Sequence, residues 1–561
     1  MPSLRPYQEE AIAAVLRARR AGERRLVVCL PTGAGKTVIF AELARLARRP
    51  VLVLAHRKEL VEQAKSKLAT ALGDPAVVGV EQAGESAALS ARVVVASLRS
   101  LHEQRMLRLI SQRRFGLIVY DECHHATAED NQRVLRTLGA FDANWDGTLL
   151  GFTATTLRAD GVGLDQVFQR IVYRRSLSEL IGQGYLVPLR GFRIATAADL
   201  VRVSASSDFN VQELSEAVDI ESRNALVARS IQELARDRRC IAFCVTVKHA
   251  RRLARALNAI GVPTGIVHGT LKADERAATL AAFRSGRLAA ITNVGVLTEG
   301  FDDPGVSCIA MARPTRSEGL YAQCVGRGTR LAPGKKDCLV LDFVDLSGLS
   351  LVSLPTLAGL PPGLDLEGAR LDEAERTLSA LWDDHPGLEL EPGSITLGEI
   401  QRRAAAFDPL TLQADSEVLA VSANAWQSLG SRGLVLHVAW GKRAAAANEI
   451  SEVLLLDGAV PGSRPRGKRW QVTLNGKPLA RFSQLAEAVE AVDYEVAARG
   501  REAASTALPG AAWRSAPPPP ALIEALAQRT PALKASSHGE ARALLAYATH
   551  GPQRAHRVAK A

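Results

Sequence analysis

Cysteine is scarce in this chain of 561 residues, and none occurs after Cys338. Several of the seven thiols (Cys29, Cys123, Cys240, Cys244, Cys308, Cys324 and Cys338) lie inside apolar runs such as 26-LVVCL-30 and 240-CIAFCVTV-247. That pattern argues for buried, reduced thiols and against a disulfide framework. Long hydrophobic runs are missing as well. No apolar stretch approaches the roughly 20 residues of a membrane span, and the start, MPSLRPYQEE, has no apolar signal region. A cytoplasmic protein without membrane attachment is the expectation. Acidic residues fall short of basic ones, 59 against 70, leaving a net charge of +11. The surplus points to a polyanionic partner, nucleic acid first, although a coding bias toward arginine would give the same excess without a task.

At this length one hydrophobic core is not enough, and three or four domains are expected. From residue 26 to about 155, short apolar runs alternate with amphipathic stretches. The runs are 26-LVVCL-30, 51-VLVLA-55, 76-AVVGV-80, 92-RVVVAS-97, 117-LIVY-120 and 148-TLLGFTA-154. Strands that are apolar throughout and spaced by helices predict a parallel sheet covered on both faces. A second block of the same plan runs from 241-IAFCVTV-247 to 338-CLVLDFV-344, and the stretch 184–220 before it, with Pro188, reads as a connector. Beyond the second block, 348-GLSLVSLPTLAGLPPGLDLEG-368 reads as linker. Five of the six tryptophans follow it, with β-like runs at 434–440 and 470–482, the latter turning at Asn475-Gly476. A short helical segment follows the proline run 517-PPPP-520.

The first strand runs into 31-PTGAGKT-37 and then a helix. In such a loop the backbone N–H groups of Thr32, Gly33, Ala34 and Gly35 face phosphate oxygens, Lys36 bridges the outer phosphates, and Thr37 offers a hydroxyl to Mg²⁺. The full phosphate-loop pattern asks for glycine at position 30, where this chain has Leu30. Five consecutive chemical residues, 121-DECHH-125, end the run 117-LIVY-120 and allow two readings. A metal cluster would need ligands from consecutive residues, yet neighbours on a strand face opposite ways, and no C-x-x-C or H-x-x-x-H partner stands near. As the carboxylates of a nucleotide site, Asp121 holds Mg²⁺, Glu122 orients the attacking water, and His124 relays to neighbouring segments.

PTGAGKT and DECH, followed by further elements in order, resemble the motif series of superfamily-two helicases and translocases. The resemblance implies adenine recognition by Gln8 in 4-LRPYQ-8, with Arg5 beside it. It implies nucleic-acid contacts at His56 and Arg57 in 54-LAHRKELVEQ-63, at Ser97, and at Thr298 in 293-NVGVLTEGFDDP-304. Gly300 and Asp302 of that stretch would touch the nucleotide. Thr153 and Thr155 in 152-FTATTLRADG-161, together with Gln323, would couple hydrolysis to strand contact, with Thr156 standing where proline is frequent. In 323-QCVGRGTR-330, Arg330 would be the arginine finger and Arg327 its phosphate-facing neighbour. Within the superfamily the chain is most similar to RadD-type helicases of bacterial DNA repair, without their cysteine-rich zinc module.

What this implies is an α/β protein with two tandem RecA-like parallel-sheet lobes, then a linker, a small β-rich accessory domain and a short helical tail. The divisions are lobe 1 at 1–183, connector 184–220, lobe 2 at 221–347, linker 348–415, accessory domain 416–505 and tail 511–552. ATP and Mg²⁺ are the implied cofactors. An ATP-dependent DNA helicase or translocase acting on single-stranded, forked or branched DNA in repair or recombination is the leading function. An RNA helicase and a nucleotide-switched clamp are alternatives, and a restriction-type motor subunit is a weaker one. The cluster 464-RPRGKRW-470 sets cations beside a stackable indole, which suits nucleic acid but also suits an exposed loop with one core tryptophan.

Overall fold

The structure, a computed structural model, describes residues 4–56, 58–154, 164–196, 198–205, 208–298, 301–345, 351–384, 395–406, 408–412, 414, 416–430, 432–457, 470–530 and 533–551. The chain divides into two compact units, Met1–Glu375 and Arg376–Ala561.

The first unit holds two parallel sheets. Strands β1 (Arg25–Cys29), β2 (Val51–Ala55), β3 (Val78–Glu81), β4 (Val93–Ser97), β5 (Leu117–Asp121), β6 (Thr148–Thr153) and β7 (Arg170–Arg174) are ordered β3-β4-β2-β5-β6-β1-β7. Every residue of β2 and β4 is buried, as expected where helices cover both faces. Helices α1 (Pro6–Arg20), α2 (Lys36–Leu46) and α3 (Lys58–Leu72) belong to this lobe. Strand β7 was not anticipated: RIVYR sits at the sheet edge with exposed arginines at both ends, so it lacks the apolar signature of the inner strands.

Strands β8 (Leu189–Thr196), β9 (Arg239–Phe243), β10 (Thr264–Val267), β11 (Ala290–Asn293), β12 (Val306–Met311) and β13 (Cys338–Asp345) form the second sheet, ordered β10-β11-β9-β12-β13-β8. The stretch expected as connector therefore supplies an edge strand, with β8 paired to β13 from Leu189 opposite Cys338 to Thr196 opposite Asp345. Its mixed LRGFRIAT pattern is that of a half-buried edge, easily taken for loop. The Gly/Pro/Leu-rich stretch read as linker is also folded. Leu351, Leu354, Leu360, Leu364 and Leu366 are buried, and Asp342 accepts the Leu354 N–H at 2.8 Å and the Tyr321 hydroxyl at 2.7 Å.

The second unit contains a five-stranded antiparallel sheet, with principal strands Gly433–Ala439, Ile450–Asp457, Trp470–Leu474 and Lys477–Phe482. The last two form a hairpin whose turn places Asn475 at φ 47° and Gly476 at φ 79°. Helix Leu485–Ala498 buries Val489 and Val492 in a core shared with Trp426, Leu436 and Val453. Helix His538–His550 packs Ala546 and Tyr547 against Val435 and Leu454 of the same sheet. Residues 464–469 of the basic cluster lie outside the described residues. All seven cysteines are buried. No helix among the described residues is long and apolar enough to cross a membrane.

Candidate functional site

Parallel register gathers the carboxyl ends of the first sheet's strands along one edge, where ligands bind in open α/β sheets. Cys29 lies opposite Thr153, Asp121 opposite Phe152, and Ala55 opposite Ser97. The loop 31–35, the DECHH segment, Thr153, His56 and Ser97 therefore share that edge.

The loop itself needs glycine twice. Gly33 has φ +91° and Gly35 φ +76°, both in the left-handed region that side chains avoid. A Cβ on Gly33 would fall 2.7 Å from the Thr329 hydroxyl, and one on Gly35 would fall 2.8 Å from Gln8 Nε2. Helix α1 braces the loop from behind. The Tyr7 hydroxyl donates to the Ala34 carbonyl at 2.6 Å, and Gln8 Nε2 donates to the same oxygen at 3.4 Å. Gln8 Oε1 accepts the Arg5 N–H at 3.0 Å, so both ends of its amide are engaged.

Lys36 and Thr37 open α2. The Lys36 ammonium lies 2.9 Å from Glu122 Oε1. Burial alone would lower its pKa, but the Glu122 and Asp121 carboxylates outweigh burial and raise it, so lysine stays charged. Glu122 follows the strand end at φ 53°, a left-handed conformation that costs a non-glycine residue about 1–3 kcal/mol. Its N–H donates to Asp121 Oδ1 at 3.1 Å. His124 Nδ1 lies 3.5 Å from Glu122 Oε2 and 3.5 Å from the Thr153 hydroxyl. The His125 ring centre is 4.1 Å from that of His124 and 4.6 Å from that of His56. One line of contacts thus runs from Lys36 through Glu122 and His124 to Thr153, and tilted imidazoles in contact extend it to His56. Among the described residues no group of three or more His, Cys, Asp or Glu is arranged to hold a metal ion.

The second lobe meets the phosphate loop through the turn after helix Glu318–Val325. The Thr329 hydroxyl donates to the Thr32 carbonyl at 3.3 Å, and a Cβ on Gly326 would collide with Thr32 at 2.3 Å. Arg327 is buried, donating to the carbonyls of Thr298 at 2.7 Å and Phe301 at 2.8 Å. Arg330 donates to the Phe301 carbonyl at 3.1 Å and pairs with Asp302 at 2.7 Å. Asp302 also receives Lys67 of α3 at 3.1 Å, which makes it a bridge between lobes. Its burial opposes ionisation, but Arg330 and Lys67 overcome this and hold its carboxyl below the usual range. Thr298 donates its hydroxyl to the Gly295 carbonyl at 2.8 Å, and Thr298, Ser97 and Gln323 are all buried in this conformation. Arg57, Thr155 and Gly300 lie outside the described residues.

Sequence reasoning overlooked five residues that the structure brings to the site: Tyr7, His125, Thr329, Lys67 and Tyr185. The first three sit inside quoted motifs and were passed over in favour of their neighbours. Lys67 and Tyr185 carry no local signal.

Residues 1–158 match the family described as "Type III restriction enzyme, res subunit", and residues 222–332 match "Helicase conserved C-terminal domain". Irc3 of Schizosaccharomyces pombe, which carries the name of a mitochondrial ATP-dependent helicase, is 33% identical over 77% of this chain and 72% of that protein. IRC3 of Saccharomyces cerevisiae, also named for an ATP-dependent helicase, is 32% identical over 64% of this chain and 54% of that protein. The DNA 3'-5' translocase XPB2 of Sulfurisphaera tokodaii is 25% identical over 61% of this chain and 81% of its own length. With two RecA-like lobes and relatives of this extent, the chain belongs to the superfamily-two helicases, in which it is a nucleic-acid-dependent ATPase related to Irc3.

Proposed function

We propose that this ATPase is a cytoplasmic motor that moves on single-stranded, forked or branched DNA, in repair or recombination, in the manner of RadD-type helicases. The observation that carries the reading is the Lys36–Glu122 pair at 2.9 Å, beside a loop that the second lobe touches through Thr329. An incoming triphosphate would take Lys36 from Glu122, leaving the carboxylate to accept a proton from the attacking water. Thr37 and Asp121 offer the hydroxyl and carboxylate oxygens that a hard cation takes, so Mg²⁺ fits there and would neutralise charge on the outer phosphates. Arg330 acts as the finger, with Arg327 supporting it from the same turn. His124 and Thr153 carry the change at Glu122 toward His56, where the strand is gripped together with Arg57, Ser97 and Thr298. The contacts are to backbone, so sequence preference is weak.

A nucleic-acid partner draws support from the chain's net charge of +11, and preference for DNA over RNA from the name of the XPB2 relative. The test is ATP hydrolysis with single-stranded DNA, forked DNA or RNA, for wild type beside Glu122→Gln and Arg330→Ala. DNA stimulation that both variants lose while still binding DNA supports the motor. Stimulation by RNA alone moves the chain to RNA helicases, and no stimulation by any nucleic acid ends the motor reading.

A further inference from the structure

The amide of Gln8, the residue expected to read the base, is held in place by its own neighbours. Gln8 is only 4% exposed, its Oε1 accepts the Arg5 N–H, and its Nε2 faces the Ala34 carbonyl. At that corner Arg5 and Tyr185 are both partly exposed, and Tyr185 holds the guanidinium together with Tyr7. Arg5 Nη1 donates to the Tyr185 carbonyl at 3.1 Å and to the Tyr7 hydroxyl at 3.4 Å. The guanidinium carbon lies 5.5 Å from the centre of the Tyr185 ring, within cation–π range, and the Tyr7 and Tyr185 rings meet at 4.8 Å. The two residues after Tyr185 are buried. A Cβ on Gly33 would meet Leu186 Cδ2 at 3.4 Å, and the Val187 N–H donates to the Thr329 carbonyl at 2.8 Å.

We infer that Tyr185 is a positioning residue for nucleotide-base selection: it holds Arg5 as a flat platform for the base and joins that platform to the contact between the phosphate loop and Thr329. The inference rests on the nucleotide reading of the site and adds to it the residue that positions Arg5 beside the base. A guanidinium plane stacks on any nucleobase but gains more from a purine, which offers the larger ring surface. On that reading the phosphates are held by 31–37 rather than by Arg5 and Tyr185. Losing the Tyr185 ring should therefore weaken binding through the base alone.

The experiment is steady-state hydrolysis of ATP and UTP by full-length protein at saturating DNA, with inorganic tripolyphosphate as competitive inhibitor. Tyr185→Phe keeps the ring, and Tyr185→Leu keeps apolar bulk beside Leu186 while removing it. In the leucine variant KM for ATP should rise about two- to fivefold, as loss of a partly exposed cation–π support predicts. The preference for ATP over UTP should narrow, and the tripolyphosphate inhibition constant should stay within twofold of wild type. The phenylalanine variant should behave as wild type. A leucine variant with the wild-type ATP-to-UTP ratio overturns the inference, as does a parallel rise in ATP KM and the tripolyphosphate constant, which marks a merely structural role. Wild-type protein that hydrolyses neither nucleotide overturns the underlying reading of the site, and this inference falls with it.

Discussion

In the first lobe the charged side chains of the site meet one another: Lys36 pairs with Glu122, and Glu122 lies beside His124. In the second they meet backbone as well as charge. Arg327 donates to the carbonyls of Thr298 and Phe301, whereas Arg330 pairs with Asp302 and also donates to the Phe301 carbonyl. The difference bears on what each lobe does when an anion arrives. An ion pair already neutralises Lys36, so a phosphate must exchange for Glu122 and in doing so releases that carboxylate. A carbonyl satisfies a guanidinium's hydrogen bonds without cancelling its charge, which is the setting of the Arg327 contacts to Thr298 and Phe301. Arg330, paired with Asp302, must exchange partners as Lys36 must.

The comparison can be broken most sharply at Arg330. If it supplies positive charge to the transferring phosphoryl group, Arg330→Ala should lower DNA-stimulated kcat by about 10³–10⁵ while ATP binding, read by fluorescent-nucleotide titration, survives. Lysine at that position should not restore it, since the fork geometry is lost. Glu122→Gln comes next, with an expected fall in kcat of about 10²–10⁴ and little change in DNA affinity. A variant that kept near wild-type turnover would remove Glu122 as the base.

A smaller effect is expected where the lobes exchange charge directly. The Lys67–Asp302 pair is a partly exposed ion pair, worth about 0–1 kcal/mol. Lys67→Ala should raise KM for ATP by no more than about fivefold, with kcat kept, in the same steady-state assay.

The smallest effect concerns stability. Burial pushes the Asp342 carboxyl up to about 6, against the opposing hydrogen bonds from Tyr321 and the Leu354 N–H. An acid whose pKa is raised by folding holds its proton longer when folded. Its contribution is full below the unfolded value near 4 and is lost as pH rises through about 6. Wild type should therefore lose a few degrees of Tm between pH 4.5 and 6.5 relative to Asp342→Asn, measured by differential scanning fluorimetry. Equal slopes for the two proteins would remove Asp342 as the source.

The chemistry of the first lobe was legible because each part is local. A strand, two glycines, a lysine and a threonine fall within 31–37, and two acids follow one apolar run. The turn 326–330 was legible for the same reason. Edges were harder: β7 and β8 each have a side that faces away from the core, so their arginines broke the apolar pattern that marked the inner strands. The leucines of 351–366 were read as linker because proline and glycine around them suggest turns, and turns can be buried when an acid such as Asp342 pins them. Tyr185 was invisible since its partner, Arg5, stands 180 positions earlier. Sequence could name the residues of the loop and the acids beside it but not the side chains that hold them in place.

Strand β8 has a mechanical consequence. Within the first unit the chain leaves the first sheet at Arg174 and enters the second at Leu189, with helix Leu177–Gly182 folded into the crossing. The Val187 N–H, two residues before the second sheet, is already held by the Thr329 carbonyl. A crossing made of helix and pinned backbone is an axle rather than a tether. A flexible loop inserted after Gly182 would uncouple the turn of one lobe from the other.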